Sequence, residues 1–214
     1  MVPTIDFWFS IGSTYTYLSV SRLAQVQKER NVQFRWRPFD LRTITREMNN
    51  RPFADKPVKL AYMWRDLERR CALYGIQFNG KPPYSINDLP RPNRVALIGV
   101  REGWCEAYAG MAYRHWFMEH EDPSEDPNIS RSLEAIGRDA GSLMTLADSA
   151  ETQQALDAET RQAKALGIFG SPTFVVGHEV FWGDDRLDDA VQWALSPPAL
   201  LRPDASGTGD EPAD

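Results

Sequence analysis

Three short segments of the chain have side chains and backbone patterns suited to holding a small molecule. The first, residues 10–15 (SIGSTY), follows a strand-like run and places Ser13 at the start of a helix. Helix N-termini have free N–H groups and a partial positive charge, which favour an anion. A hydroxyl there can donate a hydrogen bond to a bound thiolate or simply cap the helix. This segment alone leaves both interpretations open.

The second segment, residues 170–173 (GSPT), places Ser171 and Pro172 at the start of a late strand. A cis bond before the proline would expose the backbone of Ser171, which could then pair with an extended peptide. The alternative is a proline that only begins the strand.

The third segment, residues 181–186 (FWGDDR), leads into a helix. Carboxylates in the first turn of a helix often only complement its dipole, but here they could also hold the ammonium group of a ligand. The candidate binding residues of this segment are Trp182, Gly183, Asp184 and Asp185.

Composition excludes several classes of function. The chain of 214 residues has 24 Lys and Arg against 30 Asp and Glu, a net charge of −6, and no basic run. Nucleic acid is therefore not an expected partner. No apolar run reaches about 18 residues, so we expect no membrane span. The N-terminus lacks the pattern of a secretory signal, which favours a cytoplasmic protein.

Cysteine and histidine spacing predicts neither a metal site nor a dithiol. Cys71 and Cys105 lie outside any CxxC motif, and the three histidines lack the spacing of metal ligands. We expect His115, His120 and His178 to be structural or surface residues.

The first half of the chain begins as a βαβ unit. Residues 5–10 read as a buried strand, the apolar stripe that follows predicts one helix to about residue 30, and residues 32–37 alternate as a second strand. Apolar spacing from about residue 43 to residue 166 predicts helices only, with a proline-rich loop over 80–92.

Strand character returns near the C-terminus. Residues 172–176 and 179–182 predict a hairpin around Gly177 and His178, followed by a helix. Together, βαβ and ββα predict an α/β, thioredoxin-like fold with a large all-helical insertion. We expect a discontinuous thioredoxin-like domain (1–42 and 167–197), a helical insertion subdomain (43–166) and a disordered tail (198–214).

In that fold, Ser13 and Thr16 occupy the two positions that a CxxC motif would fill. Hydroxyls cannot form a disulfide, which argues against a disulfide oxidoreductase. Glutathione offers the groups that all three segments could hold: a thiol, an extended peptide backbone, and an α-amino and α-carboxylate group.

These residues resemble a known family. Residues 6–10 (DFWFS), Ser13 and residues 15–18 (YTYL) are similar to the start of 2-hydroxychromene-2-carboxylate isomerases, which group with kappa-class glutathione transferases in the DsbA-like branch of the thioredoxin fold. The resemblance covers about residues 1–195, is specific at both ends and is loose in the helical middle. Further similar segments are 58–60 (VKL), 73–76 (LYGI), 167–174 (GIFGSPTF) and 181–186 (FWGDDR).

The resemblance implies glutathione as the cofactor and a role for each candidate residue. It implies that Ser13 is catalytic and binds the glutathione sulfur, that the Ser171 backbone before Pro172 pairs with the cysteinyl part, and that residues 182–185 hold the γ-glutamyl end. Two positions depart from the family: Thr14 replaces its usual proline and Ser171 its usual valine.

The aromatic substrate is less well matched. Tyr84 resembles a tyrosine near the substrate pocket, although it is equally well an ordinary loop tyrosine, and residues 51–54 (RPFA) have no clear counterpart.

The implied reaction is a cis–trans isomerisation in aromatic catabolism, through a reversible glutathione adduct, by a cytoplasmic homodimer. Two alternatives remain: a kappa-type glutathione transferase, and a non-catalytic module of the thioredoxin fold that binds glutathione or a peptide.

Overall fold

The computed structural model describes residues 2–50, 53 and 56–196, and one mixed sheet organises them. Its strand order is β2-β1-β3-β4, with β1 parallel to β2 and antiparallel to β3. The two ends of the chain therefore meet in one four-stranded sheet, as predicted. The strands are β1 (Thr4–Phe9), β2 (Gln33–Pro38), β3 (Thr173–Val176) and β4 (Glu179–Trp182).

The helix predicted after β1 is two helices, α1 (Thr14–Val20) and α2 (Leu23–Arg30). The break lies at Ser21 and Arg22. The Ser21 hydroxyl donates to the Tyr17 carbonyl, which competes with the helical ladder, and the Arg22 N–H donates three residues back to Ser19. The single-helix prediction was therefore wrong at this point.

Between residues 43 and 166 the described part of the chain contains helices and no strand, as predicted. The predicted loop over 80–92 ends early, because α5 begins at Pro90 and not at Asn93. Proline is tolerated in the first helical turn, where its missing N–H would have no partner. The helices are α3 (Leu41–Glu47), α4 (Pro57–Tyr74), α5 (Pro90–Glu102), α6 (Cys105–Glu119), α7 (Asn128–Ala135), α8 (Ala140–Ala147), α9 (Ala150–Ala165) and, after β4, α10 (Leu187–Leu195).

Side chains from β1 fill both faces of the sheet. Phe7 stacks on Phe174 at 5.4 Å between ring centroids, while Trp8 meets Phe39 on the opposite face. The first face continues into helices α4, α5 and α6 as one apolar core. The domain boundaries stay a prediction, and the tail at 198–214 lies outside the described residues. No described helix is both long and apolar enough to cross a membrane.

Candidate active site

Ser13 lies in the turn between β1 and α1. The Ser13 N–H donates to the Ser10 carbonyl at 3.0 Å, and Ser13 has the extended backbone of an N-cap residue. Its side chain does not cap the helix. The hydroxyl instead donates to the Ser171 carbonyl at 2.6 Å. The capping interpretation is therefore right about the position of Ser13 and wrong about its side chain.

Ser171 connects the two ends of the chain at this point. The Ser171–Pro172 bond is cis, as the thioredoxin-like fold led us to expect. The Ser171 hydroxyl accepts from the Ser10 N–H at 2.9 Å and lies 2.8 Å from the hydroxyl of buried Thr16. Ser13 and Thr16, which occupy the CxxC positions, therefore both bond to Ser171.

The segment after β4 continues this surface. The Gly183 N–H donates to the Pro172 carbonyl at 2.9 Å, which ties the segment to the cis-proline loop. Gly183 has φ 110°, and a Cβ there would lie 2.5 Å from Oδ1 of Asp185. The positive φ favours glycine, whereas the Asp185 side chain could move away from a Cβ. The exposed Asp185 carboxylate accepts from Arg186 at 3.3 Å and remains open to solvent.

Asp184, its neighbour, has a different environment. It is only 3% exposed, and its Oδ1 accepts from the Ser19 hydroxyl at 2.8 Å and from Arg22 at 2.9 Å. Burial raises the pKa of the Asp184 carboxyl, while Arg22 and Ser19 act in the opposite direction. The Asp184 carbonyl also accepts from Arg22, at 3.3 Å, so this residue binds to the protein interior.

Trp182 covers the approach to the cis-proline loop. Its ring lies against Phe169 at 4.7 Å and over Gly170, where a Cβ would come within 2.0 Å of the indole nitrogen. Trp182 is 53% exposed, so one face of the indole is available to a ligand.

Tyr84 belongs to an aromatic cluster that sequence analysis did not assemble. Its ring meets Trp64 edge-on at 5.6 Å and Phe53 at 6.1 Å, and Tyr84 is 37% exposed. Phe53 is the one described residue of the unmatched loop 51–54. Lys59 lies over the Phe53 ring at 5.5 Å. We call Phe53, Trp64 and Tyr84 the aromatic cluster.

Two contacts place the aromatic cluster beside the Ser13 turn. A Cβ on Gly12 would lie 2.8 Å from Ile86, two residues after Tyr84. The Thr14 hydroxyl lies 3.2 Å from the sulfur of Met63, the residue before Trp64. The cluster therefore adjoins the N-terminus of α1.

Arg42 adds a positive charge beside Tyr84. It donates to the carbonyls of Ile86 at 2.8 Å and Asn87 at 3.1 Å. Burial raises the pKa of the Tyr84 phenol, and the charge of Arg42 acts against that rise. In the described part of the chain, no carboxylate pairs with Arg42 or Lys59.

Two buried residues of the helical block hold the Ser13 turn in place. Asn93 accepts from the Ile11 N–H at 2.7 Å and donates to the Ser10 hydroxyl at 3.1 Å and the Leu89 carbonyl at 2.8 Å. The Tyr113 hydroxyl donates to the Ser13 carbonyl at 3.0 Å. Sequence analysis missed both residues. The available signal was a lone asparagine on the apolar face of α5.

The histidines lie away from this surface. His115 is buried, with its Nδ1 3.0 Å from the Ser132 hydroxyl, and burial lowers the pKa of its imidazole. His120 contacts the Asn79 carbonyl at 2.7 Å, and His178 is exposed in the hairpin turn. Among the described residues, no group of three His, Cys, Asp or Glu side chains could share a metal ion.

The fold and the site define a protein of the thioredoxin fold that has hydroxyls where a redox pair would stand. The chain matches the model of the DSBA-like thioredoxin domain over residues 4–193 and belongs to that family. This confirms the DsbA-like fold class.

Similar proteins bear out the resemblance seen in the sequence. The chain is 28% identical over 197 residues to a 2-hydroxychromene-2-carboxylate isomerase of Sphingobium xenophagum, which covers 91% of this chain and 100% of the relative. It is 24% identical over 201 residues to glutathione S-transferase kappa 1 of Caenorhabditis elegans, with 87% and 88% covered. A solved structure of a 2-hydroxychromene-2-carboxylate isomerase matches with a TM-score of 0.79 at 27% identity, over 87% of this chain and 91% of that one.

Proposed function

We propose that this protein is a glutathione-dependent isomerase of the 2-hydroxychromene-2-carboxylate type. The observation that carries the proposal is the 2.6 Å contact between the Ser13 hydroxyl and the Ser171 carbonyl, at a helix N-terminus and beside the aromatic cluster. This contact joins a hydroxyl donor to the cis-proline loop, and Met63 and Ile86 link the same turn to the aromatic cluster. The similarity to isomerases over nearly the whole chain supports the same assignment.

The described residues fit glutathione along its length. No atom of the described residues accepts a hydrogen bond from the Ser171 N–H, so this group is available to the cysteinyl residue. Asp185 is the exposed carboxylate for the γ-glutamyl ammonium, and Trp182 supplies a partly exposed face beside it. The N-terminus of α1 and Ser13 stabilise negative charge on the sulfur.

When bound, glutathione supplies a thiolate that adds reversibly to the conjugated substrate, so that a former double bond can rotate before elimination. The protein lowers the pKa of the thiol and holds the aromatic ring near the sulfur. Tyr84 and Trp64 provide the ring surface. Arg42 and Lys59 provide positive charge for the substrate carboxylate.

A kappa-type glutathione transferase is the second candidate, and the similarity to the kappa 1 enzyme of C. elegans favours it. Both reactions use a thiolate at the same place. An isomerase returns glutathione after each turnover, whereas a transferase consumes it. The amount of free glutathione after many turnovers separates the two.

We further propose that the protein acts in the cytoplasm as a homodimer, on a small aromatic substrate and without nucleic acid. The compartment follows from the need for reduced glutathione, which is a cytoplasmic thiol, and the exclusion of nucleic acid follows from the net charge of −6. The homodimer is proposed only from the resemblance to the isomerase family. Light scattering on the purified protein tests the dimer, and cell fractionation tests the compartment.

The central experiment measures glutathione binding and then catalysis. We expect millimolar glutathione to raise the melting temperature and to release calorimetric heat. S-methylglutathione should bind without supporting conversion of 2-hydroxychromene-2-carboxylate, because it has no ionisable thiol. If glutathione gives neither thermal shift nor heat, the proposal is wrong.

A further inference from the structure

We propose that Ser13 activates a thiol only when the ligand also donates a backbone N–H to the Ser171 carbonyl. The inference rests on the proposed function, because it concerns how glutathione is recognised at that site. It goes further in making thiol activation conditional on a peptide bond remote from the sulfur. The structural basis is the hydrogen bond between the two serines.

The Ser13 hydroxyl has one proton and can donate it to one acceptor at a time. That proton is held by the Ser171 carbonyl at 2.6 Å. Donation to a bound sulfur therefore requires the hydroxyl to leave the carbonyl. No helix N–H depends on the Ser13 side chain, so this rotation breaks no capping bond.

The Ser171 carbonyl is fixed and cannot follow the hydroxyl. The Ser171 hydroxyl is bonded to the Ser10 N–H and to Thr16, and the next carbonyl, that of Pro172, accepts from Gly183. Ser171 is only 9% exposed. If Ser13 turns away, the carbonyl keeps its position and loses the donor that the described residues give it. Losing that donor is unfavourable, because the bond lies in a partly buried position.

An extended peptide can supply the missing donor. In antiparallel pairing, one residue exchanges both an N–H and a C=O with its partner. A cysteinyl residue paired with Ser171 would donate its N–H to this carbonyl and accept from the Ser171 N–H. The Ser13 hydroxyl is then free to donate to the sulfur, and the thiol proton passes to water.

A thiol ligand that lacks the cysteinyl backbone N–H does not gain the hydrogen bond from Ser13 in the same way. Moving Ser13 to its sulfur leaves the Ser171 carbonyl without a donor from the protein or the ligand, so the hydroxyl stays with the carbonyl and the thiol keeps a higher pKa. The Ser13–Ser171 pair thus selects peptide thiols over simple thiols at the step of ionisation.

The test compares glutathione with an ester-linked analogue in which oxygen replaces the cysteinyl N–H. The pKa of each bound thiol is measured from thiolate absorbance, with the S-methylglutathione complex as the blank, and is expressed relative to the free thiol. Both ligands are titrated with wild type, with Ser13→Ala and with Ser21→Ala. Ser21 is the matched control, since its hydroxyl donates to Tyr17 at the other end of α1.

We expect the ester to raise the relative thiol pKa by about one in wild type and in Ser21→Ala, a tenfold loss of ionisation. In Ser13→Ala, which lacks the switching proton, the two ligands should agree within a few tenths. Equal amide-to-ester effects in wild type and Ser13→Ala would overturn the inference, as would no effect in wild type. If glutathione itself does not bind, both this inference and the proposed function fall. If it binds with a lowered pKa that the ester reproduces, only this inference falls.

Discussion

The two walls of the candidate site are held in different ways. On the thiol side, residues from the two ends of the chain bond directly to one another, as in Ser10 to Ser171 and Ser13 to Ser171. On the substrate side, the aromatic cluster of the helical block is held by ring packing and by Arg42 on loop carbonyls. The first wall fixes polar atoms to within hydrogen-bond distance. The second wall provides an aromatic surface and positive charge, and these features tolerate substitution better than directional bonds do.

This contrast suggests a division of labour within one site. Directional bonds suit the recognition of a fixed cofactor, whose thiol must be held at one place. Packed rings suit a substrate wall that can vary among related enzymes. Substitutions on the two walls should therefore have different signatures, and four substitutions test the difference.

The largest effect on stability is expected from Asn93→Leu, because Asn93 connects the two walls. Removing the amide leaves the Ile11 N–H and the Leu89 carbonyl without their described partner. We expect a loss of roughly 3 kcal/mol in the free energy of unfolding, from two buried groups left unpaired. Urea denaturation measures it.

The matched variant Asn93→Asp keeps an acceptor for Ile11 but loses the donors. It should hold glutathione more tightly than Asn93→Leu does, because the Ser13 turn keeps its nearest bond. Equal stability of Asn93→Leu and wild type would show that the Ser13 turn keeps its shape without Asn93. The helical block would then contribute to the substrate wall only.

Asp185→Ala tests the far end of the thiol side. Losing one charge-assisted hydrogen bond to the γ-glutamyl ammonium should weaken glutathione binding about 10- to 150-fold. Calorimetry measures the dissociation constant. Asp189→Ala is the control, because Asp189 is also exposed and also pairs with Arg186. Similar losses in the two variants would mean that general negative charge, and not a contact at residue 185, attracts the ligand.

Tyr84→Leu should affect the substrate wall alone. Losing the edge-on contacts with Trp64 and Phe53 should raise KM for the aromatic substrate by about two- to tenfold and leave glutathione affinity unchanged. Steady-state kinetics at saturating glutathione gives KM. Tyr62→Leu, an exposed tyrosine of the same helix as Trp64, should change neither quantity. A loss of glutathione affinity in Tyr84→Leu would contradict the separation of the two walls.

The same contrast explains what the sequence could predict. The thiol side follows local rules: a serine before a helix, X-Pro before a strand, and glycine with carboxylates at a helix start each mark a position in the thioredoxin fold. These rules located Ser13, Ser171 and Gly183. They could not show that the Ser13 side chain bonds to Ser171, because that contact spans 158 residues of sequence.

The substrate side follows from packing that no local rule encodes. Neither Trp64, one of several apolar residues of α4, nor Arg42, one of the arginines of α3, stands out in the sequence. Their meeting at Tyr84 depends on how the loop before α5 crosses α3, which only the folded chain shows. Asn93 was missed for a related reason, since its partners lie in a turn 82 residues away.

Asp184→Asn should give the smallest effect of the four substitutions, a pH-dependent change in the free energy of unfolding. It tests whether Asp184 and Asp185, the two acidic residues of the thiol side, have different roles. Burial raises the pKa of the Asp184 carboxyl above its ordinary value of 3.8, so the folded protein keeps this proton to higher pH than the unfolded chain does. The stabilisation associated with that proton is complete when the pH is below the ordinary pKa of the unfolded chain. It is lost as the pH rises through the raised pKa of the folded protein. Asparagine keeps an oxygen for Ser19 and Arg22 and has no such titration.

The free energy of unfolding of Asp184→Asn, minus that of wild type, should therefore increase from about pH 4 upwards, the ordinary carboxyl range. Urea denaturation at a series of pH values measures this difference. A flat difference for Asp184→Asn would mean that Arg22 and Ser19 fully offset the cost of burial. Asp184 would then be a paired structural carboxylate, and the separation between an interior Asp184 and a ligand-facing Asp185 would rest on exposure alone.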